Sequence, residues 1–252
     1  SGINFSLYYS LYKGKWKEVI KNRELNLYLG IIFISVILVT LNINRGIYHN
    51  MGLALKDAFF QVSSVITTTC YATVDFNNWP TFSKLILFFL MFVGGSAGST
   101  AGGIKVIRVL VLFKLIRREI AKIFHPRSMI PIKIGDRTIP NETVANIFGF
   151  FALYIMIFAL SAIIISLEGL NFESSVSVAT AIIGNVGPGF GQVGVFSTYS
   201  NFSPLGKLFL TLIMLLGRLE LFTIIALFSP MTWRNEMLPN RRIFDSKRLW
   251  RR

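Results

Sequence analysis

The chain has 252 residues, of which 53% are hydrophobic, and 26 basic against 12 acidic residues give it a formal charge of +14. That charge alone would suit a nucleic-acid-binding protein. However, the uncharged runs at residues 25–43 and 144–167 each supply the roughly 20 apolar residues that cross a hydrocarbon core of about 30 Å. We therefore predict an integral membrane protein without a nucleic-acid partner. A single cysteine, Cys70, excludes an internal disulfide and a multi-cysteine metal site.

Most of the basic residues fall into three clusters, within residues 13–23, 105–137 and 234–252. Because cytoplasmic segments of membrane proteins carry an excess of Lys and Arg, we expect all three in the cytoplasm. This predicts a multi-pass protein of the cell membrane whose termini and 104–142 linker are cytoplasmic. The cytoplasmic parts would be an N-terminal segment at 1–24, a basic linker at 121–142 and a basic tail at 231–252.

Two halves of the chain, 25–120 and 143–230, share one pattern. Each has a long apolar helix, a short apolar segment, a turn and a second long apolar helix. In chain order these are predicted at about 25–43, 53–67, 68–80 and 81–120, and then at 143–168, 172–183, 184–203 and 204–229. The predicted fold class is all-α integral membrane, with two helix–pore-loop–helix repeats, re-entrant half-helices and one broken transmembrane helix.

The short segments, 53–67 and 172–183, are too short to cross a membrane. Their 12–15 residues make roughly 18–22 Å of helix. A half-helix that enters and returns on the outer side fits, since irregular backbone at that depth is tolerated where it lines a cavity or is buried in protein. An amphipathic helix lying on the membrane surface is the alternative.

The stretches after these segments are "TTTCYATVD" and "GNVGPGFG". Ion-conducting loops present backbone carbonyls in place of the hydration shell. Gly187, Gly189 and Gly191 give the backbone the freedom for such a loop, and residues 67–69 place threonine hydroxyls beside the carbonyls. The negative end of the preceding half-helix favours a cation. An ordinary surface turn is the alternative for the glycine-rich stretch.

Residues 94–103 consist only of Gly, Ala, Ser and Thr within an otherwise apolar helix. We predict an unwound loop at membrane depth, in which Ser96, Ser99 and Thr100 satisfy backbone groups. Close packing between helices is the alternative, because small residues allow close approach. A phosphate-binding loop is excluded, since Val106 follows Lys105 where Ser or Thr is required.

Arg218 lies in the apolar stretch "TLIMLLGRLELF", directly after the uncharged residues 210–217. A buried arginine costs at least roughly 2.5–3.5 kcal/mol in a membrane and usually marks a pathway or a partner. Glu220, two positions on, does not share its helix face. A structural ion pair with another helix is the alternative to a pathway role.

These stretches together resemble the Trk/Ktr/HKT superfamily of potassium transporters over roughly residues 1–234. The resemblance rests on "SSVITTTCYATVDFNNWPTFSK", "GGSAGSTAGGIK", "FHPRS", "NVGPGFG" and "LGRLELF". In that family four helix–pore-loop–helix repeats surround one pore, and the motif order here is similar to that of the third and fourth repeats. The resemblance implies the C-terminal half of such a protein.

The resemblance also implies roles for particular residues. The selectivity filter would comprise Thr67, Thr68, Thr69, Cys70, Tyr71, Gly184, Asn185, Val186 and Gly187, with potassium at Thr68, Thr69, Asn185 and Val186. The gate would be the intramembrane loop of Gly94, Gly95, Ser96, Ala97, Gly98, Ser99, Thr100, Ala101, Gly102 and Gly103. Arg218 would face the permeation path near that loop.

Cys70 departs from the family pattern, which normally has glycine directly after "TTT". A cysteine side chain disfavours positive φ. Two possibilities follow: the filter is altered in this protein, or the loop has negative φ at Cys70. The choice between potassium and sodium is left open by this position.

The predicted function is potassium uptake down its electrochemical gradient through a channel-like pore, with no organic cofactor and no catalytic residues. An ion-coupled secondary transporter of a small anion and a non-transporting membrane anchor are the alternatives. The half-helices end at the loops, which favours a cation. By resemblance, the partners are the missing N-terminal half, a second full-length chain in a homodimer, a cytosolic nucleotide-binding regulatory subunit and membrane lipid.

Overall fold

The computed structural model describes residues 2–125, 130–134 and 137–219. Within these ranges the chain is mostly helical and contains nine α-helices. They are α1 (Phe5–Tyr12), α2 (Trp16–Ile20), α3 (Arg23–Ile43), α4 (Met51–Ile66), α5 (Thr81–Phe92), α6 (Val106–Phe124), α7 (Asn141–Ser166), α8 (Phe172–Ile183) and α9 (Pro204–Arg218).

Polar side chains mark the beginnings of several helices. The Asn22 side chain accepts a hydrogen bond from the third residue of α3, and Asn50 accepts from two amides at the start of α4. Ser203 accepts from Gly206 at the start of α9. Such caps satisfy amides that have no partner inside the helix. Two helical stretches, Arg23–Tyr48 and Asn141–Ser166, are long and apolar enough to cross a membrane.

The segment at 81–120, predicted as a broken helix, consists of α5 and α6 with an irregular segment between them, and α6 continues to Phe124. The N-terminal segment 1–24 contains the two short helices α1 and α2. The linker contains an antiparallel pair of two-residue strands, β1 (Lys133–Ile134) and β2 (Arg137–Thr138), so the expectation of a purely α fold is wrong there.

Each half of the chain has a hydrophobic core, and the two cores exchange side chains. Val186 and Phe190 of the second half are buried in the core that α3, α4 and α5 form. Phe92 of the first half packs on the second core, with its ring 5.1 Å from that of Phe158 and 6.3 Å from that of Tyr154. This exchange fixes the position of one half relative to the other.

The long helices present large apolar side chains to the outside. Phe33 of α3 is 67% exposed, Ile163 of α7 is 64% exposed and Leu205 of α9 is 79% exposed. Helices that are apolar on their outer surface are typical of proteins surrounded by lipid or by further helices.

Candidate functional site

Two short helices, α4 and α8, end in loops that begin with tight turns. We call residues 67–75 the first loop and residues 184–193 the second loop. In the first loop the Thr69 amide donates to the Ser64 carbonyl over 3.1 Å, and in the second the Val186 amide donates to the Ala181 carbonyl over 2.8 Å. Both are bonds from residue i to residue i−5, so the two helices end in the same way.

The two loops share one pattern of backbone angles. The φ angle is +53° at Thr68 and +68° at Cys70, and it is +57° at Asn185 and +90° at Gly187. In extended backbone successive carbonyls point to opposite sides, and a left-handed residue at every second position allows them to point to one side. Of the two possibilities that the sequence leaves for Cys70, negative φ is wrong. Its φ of +68° is a conformation that L-residues disfavour.

Cys70 is the place where the two loops contact each other. Its Sγ atom lies 3.7 Å from the carbonyl oxygen of Asn185 and 3.7 Å from that of Thr68. A Cβ atom added to Gly187 would lie 3.4 Å from the same sulfur. The structure therefore brings the two predicted filter segments together at this thiol.

The three threonine hydroxyls of the first loop form hydrogen bonds inside the protein. Thr67 Oγ1 donates to the Ser63 carbonyl over 2.6 Å, and Thr69 Oγ1 donates to the Ser64 carbonyl over 3.3 Å. Thr68 Oγ1 accepts from the Gly102 amide over 3.0 Å. These hydroxyls hold the loop in place, so coordination of an ion here would rest on backbone carbonyls.

Other predicted members of the site have specific surroundings. Tyr71 is 74% exposed, and its carbonyl accepts a 2.5 Å hydrogen bond from Ser64 Oγ. The Gly187 carbonyl accepts a 2.6 Å hydrogen bond from the Tyr199 hydroxyl. The Val186 side chain is buried in the core. Ser64 and Tyr199 were not predicted; a hydroxyl near a loop gives no sequence signal of which carbonyl it reaches.

Asn77 joins the two loops and was also not predicted as a site residue. Its Oδ1 accepts from the Gly191 amide over 3.0 Å, and its Nδ2 donates to the Gly191 carbonyl over 3.4 Å. The Asp75 carboxylate accepts from the Asn77 amide over 3.0 Å and orients the turn. One side chain thus pairs with both backbone groups of a residue in the other half. The motif "DFNNWP" contains it, but nothing local indicates its partner.

The irregular segment between α5 and α6 is the small-residue loop, residues 93–105. Its two ends lie side by side: the Gly94 amide donates to the Ile104 carbonyl, and the Ile104 amide donates to the Phe92 carbonyl, each over 2.9 Å. Gly98 and Gly103 have positive φ, +72° and +68°. The loop therefore leaves the helix direction and returns to the same place.

Gly102 brings the small-residue loop against both other loops. Its amide donates to Thr68 Oγ1 of the first loop. A Cβ atom at Gly102 would lie 2.6 Å from the Gly184 carbonyl oxygen and 2.9 Å from Asn185 Cβ in the second loop. Real Cβ atoms do not approach that closely, so only glycine allows this contact.

The polar side chains of the small-residue loop differ in whether they form hydrogen bonds. Ser99 Oγ donates to the Ser96 carbonyl over 2.6 Å, as expected. The Ser96 hydroxyl is buried without a hydrogen-bond partner among the described residues, so its expected role is wrong. Thr100 is exposed. The Lys105 ammonium donates a hydrogen bond to the Ala101 carbonyl.

Arg218 is the last residue of α9 and lies beside the small-residue loop. It lines a cavity of about 20 Å³ together with Gly102, Gly103 and Gly217. Its side chain is exposed in this chain. Glu220 and the predicted helix beyond it, the motif "FHPRS" from Pro126 to Ser128, and the tail at 231–252 lie outside the described residues.

No group of three or more His, Cys, Asp or Glu side chains in the described part of the chain could hold a metal ion. The polar atoms that converge at the loops are carbonyl oxygens, amides, hydroxyls and one thiol. Carbonyl oxygens are hard ligands that suit ions which exchange a hydration shell for protein oxygens.

Apolar helices interrupted by hydrogen-bonded loops define a mostly helical integral membrane protein of the transporter class. The family described as "TrkH: Cation transport protein" matches residues 23–235, and the chain belongs to this family.

Similar proteins carry the same name. The Trk system potassium uptake protein TrkH of Escherichia coli strain K12 is 36% identical over 236 residues, which cover 93% of this chain and 48% of that protein. TrkH of Vibrio parahaemolyticus is 33% identical over 93% of this chain and 49% of that protein. The crystal structure of the potassium transporter TrkH from Vibrio parahaemolyticus matches with a TM-score of 0.84 and 33% identity, and the match covers 92% of this chain and 50% of that one. The chain thus spans about half the length of the curated relatives it matches.

Proposed function

We propose that this chain forms half of a channel-like pore for potassium uptake, with the first and second loops as two walls of its selectivity filter. The observation that carries the proposal is the shared pair of left-handed residues, Thr68 with Cys70 and Asn185 with Gly187, in two loops that touch each other. That backbone can direct successive carbonyl oxygens toward one axis. Both loops follow the C-terminal ends of helices, where the helix dipole is negative and favours a cation.

The small-residue loop is the gate in this proposal. Gly102 contacts Thr68 in one filter wall and Gly184 in the other, so the loop lies directly against the inner end of both. An ion that leaves the two walls would meet the loop. Displacement of the loop would break the hydrogen bond between Gly102 and Thr68 and open that path.

Arg218 adds a positive charge beside the gate. Its place in the same small cavity as Gly102 and Gly103 supports this role. A fixed positive charge there shortens the residence of a cation below the filter, because like charges repel across a medium of low dielectric.

The remaining assignments follow from the family and from chain length. The filter needs two further loops, which we assign to the other half of the full-length protein. We further propose a multi-pass protein of the cell membrane with cytoplasmic termini and linker, a homodimer of full-length chains, and a cytosolic nucleotide-binding regulatory subunit. Such a protein transports an ion and catalyses no reaction, and it needs no organic cofactor.

Ion flux in liposomes tests this function and separates it from the alternatives. The full-length protein is reconstituted, and potassium uptake is measured with and without a sodium gradient. Passive potassium flux that follows the potassium gradient supports the proposal. Flux of a small anion coupled to a cation gradient would favour a secondary transporter, and the absence of any flux would favour a membrane anchor.

A further inference from the structure

Glu24 is a half-buried acidic residue that no role assigned so far explains. It lies at the start of α3, and its Oε1 atom accepts a 2.6 Å hydrogen bond from the Ala97 amide in the small-residue loop. The backbone amide of Ile107, in the first turn of α6, and the Lys105 ammonium lie close enough to the same carboxylate to stabilise its negative charge. One side chain therefore reaches the middle of the loop and the helix that follows the loop.

The beginning of α6 needs a partner of this kind. Lys105, the residue before α6, makes no side-chain cap. The Val106 amide donates to the Gly95 carbonyl and the Arg108 amide donates to the Lys105 carbonyl, so among the first three amides only that of Ile107 lacks a backbone acceptor within the described residues. A carboxylate at a helix N-terminus also interacts favourably with the helix dipole. Glu24 supplies this partner from α3 and thereby connects the start of α6 to the small-residue loop.

The backbone of the N-terminal segment holds the same loop from the same side. The Ser96 amide donates to the Gly2 carbonyl over 2.8 Å, and the Phe5 amide donates to the Gly98 carbonyl over 3.2 Å. Ser96, Ala97 and Gly98 are thus bound in succession to residues that precede or begin α3. At another point of the loop, the Gly102 amide donates to Thr68 Oγ1.

We propose that Glu24 is a positioning residue for the gate: its carboxylate holds the small-residue loop against the filter by joining Ala97 to the N-terminus of α6. This inference rests on the proposed function of the loop. Loss of the carboxylate frees the loop at Ala97 and shifts the gate toward its open position.

The test is a double-mutant cycle in the full-length protein. E24A and E24Q are made in the wild-type background and in a background that lacks residues 95–102, and potassium flux per folded molecule is measured in liposomes. Loss of a charge-assisted hydrogen bond corresponds to a shift of about tenfold or more in the closed-to-open ratio. E24A should therefore raise flux in the wild-type background and cause no further change in the shortened one. E24Q, which keeps one acceptor oxygen, should raise flux less than E24A.

Two controls make the result specific. E18Q removes an exposed carboxylate that is paired with Lys15 at 3.1 Å, and its flux should match that of the wild type. A second control reports the position of the loop without measuring transport. It places a cysteine at the buried position Ala101 in a protein that also carries C70S. E24A should make this thiol react faster with a thiol reagent. The melting temperature of E24Q should stay near that of the parent protein.

The outcomes separate this inference from the proposed function. If E24A and E24Q change neither flux nor thiol reactivity in folded protein, or change flux by the same factor in both backgrounds, Glu24 does not position the loop. If removal of residues 95–102 leaves flux unchanged while E24A still exposes the thiol at position 101, Glu24 positions the loop but the loop is not the gate.

Discussion

Replacing Cys70 with glycine tests whether the backbone at this residue limits the selectivity of the pore. The φ angle of +68° at Cys70 costs an L-residue about 1–2 kcal/mol, which glycine does not incur. Glycine loses up to about 1 kcal/mol of this gain through its greater freedom in the unfolded chain. With about 1.5 kcal/mol for the first and about 0.75 kcal/mol for the second, about 0.75 kcal/mol remains, which corresponds to a roughly threefold larger population of the filter geometry. C70G should therefore retain transport and discriminate potassium from sodium more strongly.

The assay is the ratio of potassium to sodium flux in liposomes that contain the full-length protein. C70A is the matched control, because it removes the thiol and keeps a Cβ atom at positive φ; its ratio should equal that of the wild type. A thiol reagent applied from outside should reduce flux in the wild type and leave both variants unaffected. If C70G has the wild-type ratio and the reagent has no effect on the wild type, Cys70 lies outside the conduction path.

Three further changes have distinct expected results. R218Q should raise maximal potassium flux about tenfold or more with little change in melting temperature, because a charge about 8 Å from the ion costs about 2 kcal/mol at an effective dielectric constant of about 20. The control K207Q, near the N-terminal end of α9, should leave flux unchanged. A large fall in the melting temperature of R218Q with normal flux would make Arg218 structural. The Ser203 hydroxyl and backbone amide donate hydrogen bonds to the Glu168 carboxylate and hold its pKa below the ordinary value. The stabilisation from this contact is therefore fully present above the unfolded-state pKa, and it disappears as the pH falls through the folded-state pKa. E168Q should thus flatten the acid side of a plot of melting temperature against pH, and an unchanged slope would contradict this. N77A removes two hydrogen bonds between Asn77, which follows the first loop, and Gly191 in the second loop. It should cost about 1–3 kcal/mol of stability and weaken potassium selectivity. Unchanged melting and selectivity would show that this side chain does not hold the second loop in place.

Local features of the sequence predict the helices well. The two apolar runs, 25–43 and 144–167, coincide closely with α3 and α7. The small residues at 94–103 mark the interruption between α5 and α6, because a segment without large side chains has little to bury as a helix. Each of these signals depends on neighbouring residues only.

The contacts that hold the candidate site together join residues far apart in the chain. Glu24 bonds to Ala97, 73 residues away, and Asn77 bonds to Gly191, 114 residues away. Their partners depend on how the helices pack, and no local pattern encodes that. Cys70 illustrates the same limit, since tertiary contacts hold it at a φ that its own preference disfavours.

The central claim is that the small-residue loop closes a potassium path at the contact of Gly102 with both filter walls. Removing residues 95–102 from the full-length protein tests it most directly, because Gly94 and Gly103 already lie side by side: a Cβ atom at Gly103 would be 3.5 Å from the Gly94 Cα atom. The shortened protein should fold, and its potassium flux in liposomes should exceed that of the wild type. Unchanged flux in a shortened protein with a normal melting temperature would contradict the gate and favour helix packing as the role of these glycines.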